Sequence, residues 1–203
     1  MLKMQTPTVI KKCHFGDSLN MIRAATLGAN DGIISVSGIV LGAAAANLSG
    51  QTLFISGVSG MLAGACSMAG GEYISVSAQK EVQLNRLNCQ AETSVNYRNS
   101  DAYQTKINEL DILSPIHAAT ASFFSFLCGA VIPLLAIAFS ASQWRVLNTA
   151  LAMIVALSIN AIIGNSKSET PIYKTVLRNI AVGVFTTAIT YFIGSLLGAV
   201  AMG

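Results

Sequence analysis

Five long apolar stretches, at about 22–46, 51–76, 117–140, 146–164 and 177–202, decide what this 203-residue chain can become. Each matches or approaches the roughly 20 residues a helix needs to cross the hydrocarbon core of a bilayer. Only 10% of the residues are charged. Ordinary soluble domains carry about 25%, so this chain has too few charges to clothe a water-facing surface. In lipid each backbone N–H and C=O must be satisfied internally, which leaves helices or a closed barrel. Continuous apolar runs of this length select helices. The expectation is an all-α integral membrane protein with five transmembrane helices in a lipid bilayer. The first stretch is not a cleavable leader, because it outruns a roughly 7–15-residue signal core and contains Asn30, Asp31 and several glycines.

Basic residues orient these spans. Lys3, Lys11, Lys12 and Arg23 precede or open the first span. Lys80, Arg86, Arg98 and Lys106 lie between spans 2 and 3, and Lys167, Lys174 and Arg178 lie between or at the ends of spans 4 and 5. The other side holds Arg145 alone. Cytosolic loops carry the Lys/Arg excess, so the N-terminus is expected in the cytosol and, with an odd span count, the C-terminus outside or in a lumen. The net charge of +3 is then a topology signal, and no nucleic-acid partner is expected. Four regions follow: a cytosolic segment 1–21, a hairpin of spans 1 and 2 over 22–77, a short cytosolic connection 78–115, and spans 3–5 over 116–203. Asn88, Asn96, Asn99 and Ser100 argue against a continuous helix in the connection, and Ser114-Pro115 marks the start of span 3.

Small residues recur four apart at Gly28/Gly32, Gly38/Gly42, Gly60/Gly64 and Gly194/Gly198. Such pairs let helices approach closely in lipid; most serve intrachain packing, yet four of them in so small a chain favour a homo-oligomer. Cys13, Cys66, Cys89 and Cys128 share no metal-finger spacing and read as free or buried thiols.

Chemistry enters with two acidic residues inside apolar spans, Asp31 and Glu72. A carboxylate in a bilayer costs at least roughly 2.5–3.5 kcal/mol on insertion scales, and such groups usually mark an ion pathway. The bland alternative pairs Glu72 with Arg23 or lets it reach the cytosolic interface. At 1.5 Å per residue, Asp31 lies roughly 10 Å inside the cytosolic face, and Met68 on span 2 roughly 12 Å inside it. Glu72 is one turn beyond Met68 on the same helical face. Carboxylate oxygen suits hard dications, whereas thioether sulfur favours softer ones, so the mixed set points to Fe²⁺, with Mn²⁺, Co²⁺ and Zn²⁺ as competitors. The ion is cargo, and no resident cofactor is expected. Burial favours a protonated carboxyl group and a bound dication an ionised one, which makes proton–metal antiport the natural coupling. Enzyme chemistry is not expected: His14 and His117 form no nucleophile–base pair, and there is no HExxH motif or phosphate loop. The alternative outside transport is a membrane scaffold or a metal-responsive regulatory protein.

The stretches around these residues resemble a known family. Arg23-Ala-Ala-Thr-Leu-Gly-Ala-Asn-Asp31-Gly32 is similar to the span-1 signature of the vacuolar iron transporter family, and the stretch from Ser67 to Gln79, with Met68 and Glu72, is similar to its span-2 signature. Ser122–Pro133 and Ile189–Gly194 resemble its third and fifth spans. The resemblance implies a five-span homodimer with a cytosolic N-terminus. Its pathway would run between subunits, with Asp31 and Met68 as pore ligands and Fe²⁺ leaving the cytosol in exchange for protons. The host membrane would be a bacterial inner membrane or a eukaryotic vacuolar one. One departure stands out: the connection 78–115 has Glu81, Glu92 and Glu109 but no methionine. That resembles the short-loop, nodulin-like members rather than those with a long glutamate-rich metal-collecting domain.

Overall fold

In the computed structural model, residues 15–92, 114–165 and 171–202 are described. They form five helices: α1 (Phe15–Ala45), α2 (Gly50–Glu92), α3 (Pro115–Phe139), α4 (Arg145–Gly164) and α5 (Ile172–Met202), with a 3₁₀ turn (Ser142–Trp144) leading into α4. All five are long and apolar enough to cross a membrane. Their outer surfaces fit lipid, with Phe139, Phe185, Leu197 and Val200 exposed. The chain is an integral membrane protein, with five membrane-length helices among its described residues.

The α1–α2 hairpin shows how locally the chain dictates its turns. Asn47 takes a left-handed conformation at φ 57°, which Asn tolerates better than most residues. Leu48 N–H then reaches Ala43 O at 3.2 Å and Asn47 N–H reaches Ala44 O at 3.0 Å, closing the last turn of α1 as a Schellman motif. Ser49 caps α2 by accepting from Thr52 N–H at 3.2 Å. At α3, Ser114 accepts from His117 N–H at 3.4 Å, and Pro115 sits in the first turn.

Helix α1 is the centre of the bundle, packing on each of the other four helices, while α2 packs chiefly on α1 and α3. The core between them is Val36, Val40, Leu41, Leu53, Ala65, Phe126, Ala130, Leu134 and Ile137. Glycines set these distances. A side chain at Gly32 would strike the Phe126 carbonyl oxygen, and one at Gly129 the Ala29 carbonyl oxygen. Gly194 lies on the Gly42 carbonyl, and a Cβ at Gly198 would come within 2.7 Å of Ala46 Cα. Gly60 and Gly64 meet Ile39 and the Phe126 ring. All four four-residue pairs are thus used within one chain, and they carry no argument for a second copy.

Helix α2 departs from expectation. It does not stop near residue 76 but runs unbroken to Glu92, 43 residues in all, or about 64 Å at 1.5 Å per residue. That is about twice the hydrocarbon thickness, so the helix is too long to lie wholly within it. The expected interruption fails because Ala78, Gln79, Lys80, Glu81, Gln83, Leu84, Arg86, Leu87 and Gln90 are good helix formers. Asn85 and Asn88 each cost less than about 0.7 kcal/mol, too little to end a helix already nucleated. The remainder of the connection, 93–113, lies outside the described residues, and with it Glu109.

Candidate metal pathway

Arg23 and Glu72 fix how α1 and α2 meet. Arg23 Nη2 donates to Glu72 Oε2 at 2.9 Å across the two helices. Glu72 is buried and Arg23 half exposed; Asn20 Oδ1 accepts from the same guanidinium at 3.1 Å. One turn along, Ala24 and Val76 share a small core with Ala118. Farther in, Gly57 lies against Val36 and Val40, and Gly60 against Ile39. Continuing this antiparallel register places Asp31 beside residues 62–69 of α2, the stretch that holds Met68. Glu72 lies one turn nearer the end of the bundle where α1 begins.

The three residues differ in their surroundings. Glu72 is engaged by Arg23, the pairing that was the alternative to a free ligand. Met68 is half-buried and packs on the core cluster around Phe126. Asp31 is exposed on the surface of the protomer, and Ser35 Oγ, one turn farther along α1, donates to its Oδ1 at 2.9 Å. Leu27, Asp31 and Ile39 form an exposed stripe on α1, which continues into an apolar groove of about 880 Å³ between α1 and α5 lined by Ser35, Gly38, Ile39, Gly42 and Thr190. Among the described residues, no three His, Cys, Asp or Glu side chains converge as a metal site within one chain.

Gly70 and Gly71 mark a second uncovered surface, on α2. The other glycines between Gly28 and Gly198 pack against a neighbouring helix or side chain, but a Cβ at either of these would meet nothing within 4 Å. Glycine inside a helix costs roughly 0.5–1 kcal/mol relative to alanine, and nothing in the protomer requires it here.

One group escaped sequence reasoning. Asn30 Oδ1 accepts from Asn160 Nδ2 at 2.8 Å and from Asn179 Nδ2 at 3.3 Å, and Asn160 Nδ2 also reaches Thr26 O at 3.1 Å. These amides tie α1 to α4 and α5 at the residue next to Asp31. Consecutive helical residues point about 100° apart, so anchoring Asn30 inward and seating Gly32 on α3 turns Asp31 outward. The signal was available: three asparagines in otherwise apolar spans cost too much unless they bond one another.

Comparison with known proteins extends the similarity beyond these residues. A family model described as the VIT family matches residues 22–107 and 90–195. "Vacuolar iron transporter homolog 2" of Arabidopsis thaliana is 33% identical over 178 residues, covering 87% of this chain and 84% of that protein. "Vacuolar iron transporter homolog 3" of the same plant is 34% identical over 191 residues, covering 93% and 89%. "VIT-like transporter 1b" of Glycine max is 33% identical over 182 residues, covering 89% and 78%. Coverage this broad means that the likeness is not confined to the two motifs around Asp31 and Met68.

Proposed function

The chain belongs to the VIT family, and from that premise we propose that it carries a divalent transition-metal ion out of the cytosol, Fe²⁺ first and Mn²⁺ second, in exchange for protons. Metal-ion transport, rather than enzyme chemistry, is the function that the family supports. The names of the plant relatives favour iron as the ion and a vacuolar membrane as the setting.

The observation that carries the reading is the exposure of Asp31. A carboxylate facing hydrocarbon about 10 Å inside a span is untenable by several kcal/mol, so something must cover the stripe from Leu27 to Ile39. A second copy does this best. Around a twofold axis, two Asp31 carboxylates flanked by two Met68 thioethers offer hard and soft donors to one borderline ion, which no single chain provides. The uncovered glycines 70 and 71 leave room for a neighbouring backbone to approach α2 closely. Asp31, held by Ser35, is then the group on which metal movement and coupling converge.

In this reading the Arg23–Glu72 pair guards the mouth of the pathway. A cation reaching Glu72 competes with a guanidinium already bound there, so passage requires Arg23 to swing aside. The test is uptake of Fe²⁺ and Mn²⁺ by proteoliposomes of the wild-type protein, with and without an imposed pH gradient. Flux that depends on both protein and gradient is expected. Metal binding without flux would instead favour a scaffold or a regulatory protein.

A further inference from the structure

A second polar feature lies on the side of α1 away from Asp31. Between α1, α4 and α5 is a cavity of about 480 Å³ lined by Thr26, Asn30, Lys174, Thr175, Arg178 and Asn179, among others. Its lining contains no acidic residue, and among the described residues the one ion pair joins Arg23 to Glu72, so Lys174 and Arg178 face the cavity without a described carboxylate partner. Its floor is also rich in donors. Asn30 uses its carbonyl oxygen for Asn160 and Asn179, and among the described residues no partner is shown for its own NH₂ or for the second N–H of Asn179, both of which belong to residues lining the cavity. Two cations repel a metal ion, so this is not a branch of the metal pathway. A cluster made of donors matches a ligand made of acceptors.

We propose that this cavity binds a phosphate-bearing anion, supplied by an anionic membrane lipid whose headgroup enters between α1, α4 and α5. Three features support phosphate. The guanidinium of Arg178 and the ammonium of Lys174, one turn apart on α5, can grip two phosphate oxygens as a fork and a point charge. Asn30 and Asn179 add neutral donors from deeper in the cavity. The first turn of α5 also presents the positive end of its helix dipole on the same side. Position selects the lipid: Arg178 stands at the start of the apolar stretch 177–202 and Lys174 one turn outside it, the level at which lipid phosphates lie. Because the floor is the asparagine cluster beside Asp31, an anion bound here would tie together the three helices that set the direction of Asp31. The proposal does not depend on which metal crosses.

The experiment measures thermal unfolding of the purified full-length protein in phosphatidylcholine nanodiscs, titrated with phosphatidate in one arm and inorganic phosphate in the other. Wild type, Lys174→Gln/Arg178→Gln, and a Lys80→Gln control on α2 are compared. Phosphatidate should raise the melting temperature of the wild type and the control, as a ligand that binds only the folded state must, and leave the double variant unmoved. Should the double variant melt early in phosphatidylcholine alone, Lys174→Arg/Arg178→Lys supplies the second test, since it keeps both charges and should keep the phosphatidate shift. An equal rise with inorganic phosphate, lost in the double variant, would support the phosphate site but assign it to a soluble anion. An equal phosphatidate shift in all variants, or none in the wild type, would overturn the proposal.

Discussion

Replacing Arg23 by alanine tests how far the ion pair at the mouth sets both stability and access. The pair sits between two regimes. Exposed ion pairs contribute about 0.2–1 kcal/mol, whereas removing one partner of a fully buried pair costs about 3–5 kcal/mol. Here the Glu72 side chain is 9% exposed and Arg23 50% exposed, so the carboxylate bears most of the desolvation while the guanidinium keeps half its water. Arg23→Ala should therefore cost about 1–3 kcal/mol, in the range of a lost charge-assisted hydrogen bond with an orphaned acceptor. Glu72→Gln keeps the shape and one acceptor and should cost less. In the double variant the loss should fall short of the sum by about 1 kcal/mol or more, the signature of directly coupled sites. Equilibrium unfolding in mixed micelles, repeated at high salt, measures this; a partly buried pair should keep most of its coupling when salt is raised. Additive costs within about 0.3–0.5 kcal/mol would show that the contact holds nothing together. In flux measurements Arg23→Ala should change the rate without abolishing transport, because it opens the mouth and leaves Asp31 in place.

Gly70→Ala and Gly71→Ala should each leave the isolated protomer as stable as wild type or up to about 1 kcal/mol more stable, yet lower metal flux; sedimentation and transport assays on the same samples separate the two effects. Asn160→Ala removes the amide that bonds both Asn30 and Thr26 and should cost about 1–3 kcal/mol, read by thermal unfolding, with a loss of flux although it contacts no metal. Met68→Ala should reduce Fe²⁺ flux more than Mn²⁺ flux, since the thioether favours the softer ion; competition between the two ions in proteoliposomes reads this directly.

Much of the fold was legible in the chain because apolar length alone separates a membrane helix from everything else. Turn chemistry was legible at Ser114 and Pro115, which act through contacts only a few residues away. What escaped was whatever depends on packing. Nothing local ends α2 at residue 76, since leaving the apolar run changes hydropathy more than helix propensity, and most of residues 77–92 are good helix formers. The levels of Asp31 and Met68 followed from helix rise, but the outward rotation of Asp31 did not. That rotation is set by Asn30 bonding Asn160 and Asn179, far away in sequence, and by Gly32 seating on Phe126. Glu72 was legible as a charge in a span; that Arg23 occupies it depends on the α1–α2 register. The paired glycines were legible as packing devices, but only the structure shows them consumed inside one chain, leaving Gly70 and Gly71 uncovered.

The central claim is that the exposed Asp31 carboxylate carries the metal, and proteoliposome flux of Fe²⁺ against a proton gradient tests it with wild type, Asp31→Asn and Asp31→Glu. Asn keeps size and hydrogen-bonding capacity but removes the charge that a dication and a proton would share, while Glu restores the charge. Asp31→Asn should fold and purify like wild type yet lose flux by at least about tenfold, the scale on which even supporting groups of a metal site act, and Asp31→Glu should retain a measurable part. Wild-type flux through Asp31→Asn, at the same dependence on the gradient, would contradict the account.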